Sequence, residues 1–356
     1  MCRPYPPSRN SRIEEHAQRH LSILGNADAR ALIVPDEAKP LAQMPWAQCD
    51  SLRAVTTVEE LAGRGGQRQP VAAAADDPAL LQYTSGSTGA PKGVTLSHAN
   101  LLANIRAMAE ALQVAEGDVF VSWLPLYHDM GLIGAWLGSL HQATPLVLMS
   151  PLAFLARPAR WLRAIDRFRG TISGGPNFAY ELLLRQIRDA ELEKLDLSSW
   201  RVAFNGAEPV SASTLERFSQ RFAAAGLRRT AIAPVYGLAE NSVGLAFPPL
   251  GRGPLVDAID REQLARSGRA IPSADSRAIR VVACGRPLPG HDIRIVDAAG
   301  FELPGAARGT AAVSRALGEP RYWRNDVATR RLLAGDWRES PPSPTSPAAT
   351  STSPPG

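Results

Sequence analysis

The sequence predicts an α/β fold, on three observations. From about residue 76, short β-rich runs alternate with amphipathic helical stretches. A loop of glycines, hydroxyl residues and a lysine separates two of the first strands, and after Pro248 the texture shifts toward short β-rich runs, the mark of a smaller β-rich subdomain. In order, Leu80 to Tyr83 and Val94 to Ser97 read as strands on either side of that loop. Ser97 then caps a helix whose apolar face is Leu101, Leu102, Ile105 and Met108. Val119 to Trp123 reads as a strand and Met130 to Leu140 as a helix. Pro158 and Pro176 stand where first helical residues belong, ahead of Trp161, Leu162, Ile165 and Phe168 and of Phe178, Leu182, Leu183 and Ile187. Arg201 to Phe204 and Ile232 to Tyr236 are further strands, with a helix between them opening at Ser211 and stopping near Gly226. Beyond residue 248, Arg261 to Ser267 reads as a short helix, and Arg280 to Cys284 and Asp292 to Val296 as strands.

Composition narrows the class. The 356 residues are 45% hydrophobic and 21% charged, ordinary for a globular chain able to bury a sizeable core. The net charge of +5 is carried almost wholly by arginine, since lysine occurs only at 39, 92 and 194. The basic residues are scattered and aromatics make up only 6%, which argues against a nucleic-acid-binding protein. Cys2, Cys49 and Cys284 are widely spaced, which argues against a disulfide scaffold and a structural zinc site and fits a reducing cytoplasm. The first ten residues lack the apolar core of a secretory signal. The most apolar stretch, Gly131 to Met149, is broken by His141, Gln142 and Pro145 and reads as a buried helix and strand, with no integral membrane span. From Ser340 to Gly356 the chain is almost entirely Pro, Ser, Thr and Ala and is expected to stay disordered.

The loop, Tyr83-Thr-Ser-Gly-Ser-Thr-Gly-Ala-Pro-Lys-Gly93, carries the most chemical information. Glycines at 86, 89 and 93 let successive backbone N–H groups point at one anion, Thr84, Ser85, Ser87 and Thr88 offer hydroxyl donors, and Lys92 adds positive charge. It is not the P-loop pattern, because Lys92 is followed by Gly93 and Val94 and no helix opens there. A surface turn is the bland alternative. Four hydroxyls, three glycines and the stiff Ala90-Pro91-Lys92-Gly93 ending favour a phosphate-handling loop, with ATP as its ligand.

Other constellations are weaker alone. His128 and Asp129 stand between a strand and a helix, where α/β folds place ligand-facing groups, although the residues alone favour a capping aspartate beside a satisfied histidine. Thr171-Ile-Ser-Gly-Gly-Pro-Asn-Phe-Ala-Tyr180 reads as strand, Gly-Gly turn and helix start, with Asn177 or Phe178 able to line a ligand channel. Phe204-Asn-Gly-Ala-Glu-Pro209 and Val235-Tyr-Gly-Leu-Ala-Glu240 both follow apolar strands, turn at a glycine and carry a glutamate.

Taken together these residues resemble the adenylate-forming enzymes, whose signature loop Thr-Ser-Gly-Ser/Thr-Thr-Gly-x-Pro-Lys-Gly is matched from Thr84 to Gly93. The run Leu124-Pro-Leu-Tyr-His-Asp-Met-Gly-Leu-Ile-Gly134 resembles the fatty acyl-AMP ligase branch. The resemblance implies stacked β-sheets with helices, and a reaction joining a carboxylate to the α-phosphate of ATP, with pyrophosphate released and the acyl group passed to an acyl carrier protein. ATP and Mg²⁺ are the implied cofactors and a fatty acid the implied substrate. The nucleotide would lie against Thr84, Ser85, Gly86, Ser87, Thr88, Gly89 and Lys92, along Asn205, Gly206, Ala207 and Glu208, and beside Tyr236 and Gly237. Glu240 would hold the metal, with His128, Glu240 and Lys92 as the catalytic set. Asp129, Met130, Gly174, Gly175, Asn177 and Phe178 would border the acid. The segment from Gly251 to Ala278 looks like the insertion that sets these ligases apart from acyl-CoA ligases.

Against that family, residues 1–75 read as the remnant of an N-terminal subdomain, 76–248 as the nucleotide- and acyl-binding core, 249–338 as insertion and β-rich subdomain, and 339–356 as the tail. Ala239 replaces a threonine that many members carry. Tyr322-Trp-Arg-Asn-Asp-Val-Ala-Thr329 resembles the stretch ahead of the ribose-binding Thr-Gly-Asp, but Ala334-Gly-Asp336 falls too early to fill that role. The expectation is a core without the small C-terminal domain and its lysine. Loss of one such positioned cation removes about 10²-fold to 10³-fold of rate or more, so weak or no adenylation is expected from this chain alone. Two alternatives stand beside this reading: a fatty acyl-CoA ligase, and a catalytically inactive ATP- and acyl-binding fragment or gene remnant.

Overall fold

The computed structural model describes residues 13–40, 42, 48–66, 71–84, 91–297, 299–303, 305, 307–315, 321–334 and 337–339. The chain divides into two compact units, Met1–Asn100 with Glu319–Arg330, and Leu101–Gly318 with Arg331–Gly356.

In the first unit, helix α1 (Ile13–Asn26) is followed by strands β1 (Ala31–Ile33) and β2 (Ala54–Thr56), which pair in parallel. Leu24, Leu32, Ala42, Cys49 and Leu52 close a small apolar core. Helix α2 (Val58–Gly63) opens on a capping box, in which Thr57 Oγ1 accepts from the Glu60 N–H and the Glu60 carboxylate accepts from the Thr57 N–H. Strands β3 (Pro78–Thr84) and β4 (Lys92–Ser97) then form an antiparallel pair, extended on the β4 side by the short strand Arg321–Tyr322. The predicted start after Ser97 is present: its hydroxyl accepts from the Asn100 N–H while Asn100 Oδ1 accepts from the Ser97 N–H, and α3 (His98–Ala111) follows.

The second unit is built on a parallel sheet of β5 (Phe120–Ser122), β6 (Leu146–Leu148), β7 (Ile172–Gly175), β8 (Val202–Asn205) and β9 (Ile232–Pro234), in the spatial order 6-5-7-8-9. Helices connect these strands, as parallel neighbours require. Between β5 and β6 the chain winds as a π-helix, Met130–Leu137, and tightens into α4 (Gly138–His141); an ordinary α-helix was the sequence expectation. Gly131 has no room for a side chain there, because a Cβ would run into the Pro125 carbonyl. Helices α5 (Pro151–Ala156), α6 (Ala159–Phe168), α7 (Asn177–Gln186) and α8 (Ala212–Phe222) complete this layer. Pro158 and Pro176 sit one position earlier than predicted, as the residues flanking α6 and α7, within the usual uncertainty of helix ends. Ser211 caps α8 as expected, its hydroxyl accepting from the Thr214 N–H.

Aromatic residues fill the core. Trp161, Trp200, Tyr180, Phe154, Phe218 and Phe222 are fully buried. The Trp161 ring meets Trp123, Phe154, Tyr180 and Trp200 at centroid distances of 5.7, 5.7, 5.7 and 5.4 Å, mostly edge to face. Its indole N–H donates to Ser173 Oγ at 2.7 Å, so the buried donor is satisfied.

Gly174 and Gly175, read from sequence as a turn, are instead the last residues of β7, paired with Phe204 and Asn205 of β8. The glycines serve packing: a Cβ on Gly174 would collide with the Phe204 carbonyl and ring, and one on Gly175 with the Trp123 ring. Gly174→Ala should destabilise the unit by about 1–3 kcal/mol, read as a lowered denaturant midpoint. An unchanged midpoint would contradict this register.

After β9 come β10 (Tyr236–Gly237) and β11 (Gly244–Phe247), an antiparallel pair. Strand β12 (Val256–Ile259) pairs antiparallel with β13 (Ile279–Val282) around helix α9 (Arg261–Ser267), over a core of Ile259, Ala270 and Val281. The segment read as an insertion is thus an ordered module, its helix capped by Asp260 and closed by Gly268 at φ 68°. The β-rich remainder includes β14 (Arg286–Pro287), on the far edge of β11, then the antiparallel pair β15 (His291–Val296) and β16 (Thr310–Arg315), joined by the strands Leu333–Ala334 and Trp337–Glu339. The predicted α/β core with a small β-rich part is therefore present. Among the described residues no helix is long and apolar enough to cross a membrane. The tail from Ser340 lies outside the described residues.

Candidate active site

In the first unit, Thr84 and Lys92 face each other as the last pair of the β3/β4 ladder, so they form the base from which the hydroxyl and glycine loop springs. Ser85, Gly86, Ser87, Thr88 and Gly89 lie outside the described residues. The base is firmly held. The Tyr83 hydroxyl donates to Asn26 Oδ1 at 2.5 Å, the Trp323 N–H donates to the Gly93 carbonyl at 2.7 Å, and Lys92 Nζ stands 5.4 Å from the centre of the Tyr322 ring.

In the second unit the parallel order brings four loops to one edge of the sheet, because each leaves the carboxyl end of its strand. After β5 come His128 and Asp129; after β7, Asn177 and Phe178; after β8, Gly206, Ala207 and Glu208; after β9, Tyr236 and Gly237, with Glu240 beyond. Asn177 ties two of these loops together. Its Oδ1 accepts from Asn205 Nδ2 at 3.3 Å and from the Ser211 N–H at 3.1 Å, while the Glu208 carboxylate accepts from the Phe178 N–H at 2.6 Å. Asn205 Oδ1 is left buried without a partner, and Gly206 is pressed against Val235 too closely for any side chain.

Two non-glycine residues at this edge adopt left-handed backbone angles, Ala207 at φ 67° and Ser242 at φ 70°. Each costs on the order of 1–3 kcal/mol, and such strain gathers where a loop must present its backbone to a ligand. Glu240 lies between them in sequence, in a short 3-10 turn (Ala239–Asn241), and is buried.

His128 Nδ1 lies 2.6 Å from Asp129 Oδ1, which also caps the π-helix by accepting from the Met130 N–H at 2.6 Å. Burial works against the imidazolium, but the Asp129 charge and hydrogen bond outweigh it and hold the His128 pKa above its ordinary 6.5. Folding therefore favours the protonated ring. The resulting stabilisation is complete below pH 6.5 and lost as the pH rises through the folded value. With the side chain 51% exposed that stabilisation is screened and small, so the direct readout is NMR titration. The His128 midpoint should lie above 6.5 and fall in Asp129→Asn; a midpoint that ignores the substitution would contradict the pairing.

Behind this edge a cavity of about 280 Å³ runs along one face of the sheet. His128, Asp129, Met130, Ala207, Tyr236 and Gly237 stand at its carboxyl-edge mouth, and Phe204, Ile172 and Phe120 lie along its floor toward the other edge. Ile105, Met108, Ala109 and Leu112 of α3 and its end form a wall, and Val114, Gln142 and Thr144, which precede strands, lie toward the far end. The wall is anchored by Asn104, whose Nδ2 donates to the Gly244 carbonyl at 2.8 Å while its Oδ1 accepts from the Gly244 N–H at 3.0 Å. Gly174, Gly175, Asn177, Phe178, Asn205, Gly206, Glu208 and Glu240 are outside this lining. Sequence reasoning missed the α3 wall, Asn104 and the 243–247 segment. The one signal available was a helix face that carried methionine and small residues.

Such a cavity, apolar within and polar at its mouth, can seat an alkyl or aryl chain and hold its polar end among the loops. Comparison with known proteins agrees with that geometry. The family model for AMP-binding enzymes matches residues 11–323. The chain is 42% identical over 262 residues to the medium-chain-fatty-acid–[acyl-carrier-protein] ligase TtuA of Teredinibacter turnerae, covering 73% of this chain and 40% of that protein. It is 43% identical over 273 residues to the 4-hydroxyphenylalkanoate adenylyltransferase of Mycobacterium marinum, covering 75% of this chain and 43% of that protein. Among solved structures, the fatty acid AMP ligase of Legionella pneumophila superposes with a TM-score of 0.85 at 31% identity, over 94% of this chain and 59% of that one. The fatty acyl-adenylate ligase of L. pneumophila with acyl adenylate and pyrophosphate gives 0.83, also at 31% identity, over 94% and 59%. The chain thus spans about 40% of the length of these two curated relatives. By sequence and by fold it belongs to the AMP-binding enzyme family, alongside the fatty acyl-AMP ligases it resembles.

Proposed function

We propose that the protein activates a fatty acid with ATP, forming an acyl adenylate and pyrophosphate, for transfer to an acyl carrier protein. The observation that carries this reading is the apolar cavity whose mouth lies among the loops at the carboxyl edge of the sheet. An alkyl chain in the cavity leaves its carboxylate at the mouth, beside Ala207 and Tyr236. One carboxylate oxygen attacks the α-phosphorus of ATP, the bond to the bridging oxygen of the β-phosphate breaks, and pyrophosphate leaves with that electron pair. No enzyme nucleophile takes part, so rate comes from bringing two anions together and stabilising the charge that develops. In the second step a carrier thiol attacks the acyl carbonyl, AMP departs, and the thiol proton passes to solvent.

Roles for individual residues follow from their chemistry. Lys92 and the loop that springs from Thr84 suit the phosphates, while Asn205, Gly206, Ala207 and Glu208 line the nucleotide and Tyr236 offers it an aromatic face. The buried, open acceptor Asn205 Oδ1 is the kind of group a ligand donor satisfies. His128, paired with Asp129, presents a polar ring edge to the carboxylate or α-phosphate. Glu240, a buried hard-oxygen ligand, would hold Mg²⁺ together with substrate phosphates. Bound there, the ion would neutralise phosphate charge.

One relative, from Caulobacter vibrioides, is a putative acyl-CoA synthetase at 38% identity, which keeps coenzyme A as the second candidate acceptor. The acceptor test offers preformed acyl adenylate to the protein with holo carrier protein or with coenzyme A, and follows thioester by mass. Thioester on the carrier supports the proposal, whereas thioester on coenzyme A alone overturns the carrier assignment.

A further inference from the structure

We infer that Gly134 and Gly138 set the length of acid the cavity accepts, on the reading that the cavity holds the acyl chain. The helical segment from Met130 to Gln142 runs the length of the cavity. It starts at the carboxyl edge, beside His128 and Asp129, and ends near Thr144 at the amino edge. At about 1.5 Å per residue it covers roughly 18 Å, a little less where the winding widens.

Met130, Gly134, Gly138 and Gln142 recur every four residues on the face toward the cavity. The opposite face carries Trp136 and Leu140, 37% and 71% exposed. The two glycines are therefore the middle of the wall. A Cβ built on Gly134 meets nothing within 4 Å, and one on Gly138 only the Ile133 carbonyl at 3.4 Å. Neither glycine has a left-handed backbone angle or the close neighbours that explain Gly131 or Gly174. A helix interior disfavours glycine against alanine, so two unforced glycines on one stripe are explained by the space they leave open. Any side chain there would project into the volume the alkyl chain fills, part-way between mouth and end. They determine specificity by what they lack.

The test is calorimetric titration of the protein with saturated fatty acids from four to sixteen carbons, below their micellar concentrations, for wild type, Gly134→Ala, Gly134→Leu and Gly138→Leu. Wild type should show one preferred length within this range. Gly134→Leu adds a four-carbon branch and should move the optimum about four carbons shorter, with the acid that wild type prefers weakened by roughly 10-fold or more. Gly138→Leu, one turn deeper, should move it less. Circular dichroism checks folding, and if a leucine variant fails to fold, Gly134→Ala decides, since its Cβ meets no neighbour and its optimum should still shorten. If wild type binds acids but none of the folded variants shifts the optimum, the glycines are not the determinant and the inference is overturned. If wild type binds no acid of any length, the acyl reading of the cavity itself has failed.

Discussion

Glu240→Gln is expected to lower acyl-adenylate formation by roughly 10²-fold to 10³-fold, about 2.7–4 kcal/mol of transition-state stabilisation. The glutamate is buried in a short turn next to the strained Ser242, so a glutamine of the same shape keeps the packing and removes one hard anionic oxygen. The loss should be concentrated in turnover at saturating ATP and eased by raising Mg²⁺. Stability measured by denaturant should change far less than activity. Unaltered turnover at limiting Mg²⁺ would remove Glu240 from the metal's surroundings.

Trp161→Ala is expected to cost about 3–5 kcal/mol, the range for deleting a fully buried large aromatic side chain. That is a large share of the total stability of an ordinary domain. The ring is the hub of the Trp123, Phe154, Tyr180 and Trp200 contacts, and its N–H satisfies Ser173 Oγ, which itself donates to the Val121 carbonyl at 2.5 Å. Its removal therefore leaves a void between α6 and the sheet and unsettles the strands whose ends carry the site. Trp161→Phe should recover part of the loss, since it restores ring contacts but not the indole donor. Denaturant midpoints of both variants check the order. Equal stability of Trp161→Ala and wild type would contradict the packing.

The sequence was most readable where the determinant is local. Ser97 and Ser211 announced helix starts through hydroxyl caps, and Arg261 to Ser267 formed the helix its pattern suggests. Gly174 and Gly175 misled because their reason is distant: Phe204 and Trp123 exclude side chains from a strand, and a glycine pair by itself reads as a turn. Strand β12 was hidden for a similar cause, since Val256 to Ile259 is short and is stabilised by its partner β13, more than twenty residues on.

The site divides along the same line. Motif residues such as His128, Ala207 and Tyr236 were identifiable individually, and their meeting depends on the 6-5-7-8-9 strand order, which no local pattern contains. The cavity wall was least legible. Ile105, Met108 and Leu112 look like any core face, and Gly134 and Gly138 reveal themselves only by the empty space beside them.

A fatty acid carboxylate is expected to attack the α-phosphorus of ATP at this edge, and an oxygen label follows that attack. The protein is supplied with ATP, Mg²⁺ and decanoic acid carrying ¹⁸O in both carboxyl positions, and the product is trapped with hydroxylamine, which attacks the acyl carbonyl and frees AMP. Decanoyl hydroxamate together with AMP bearing a single ¹⁸O is the expected result. Unlabelled AMP, or ATP left intact by a folded protein that binds both substrates, would contradict it.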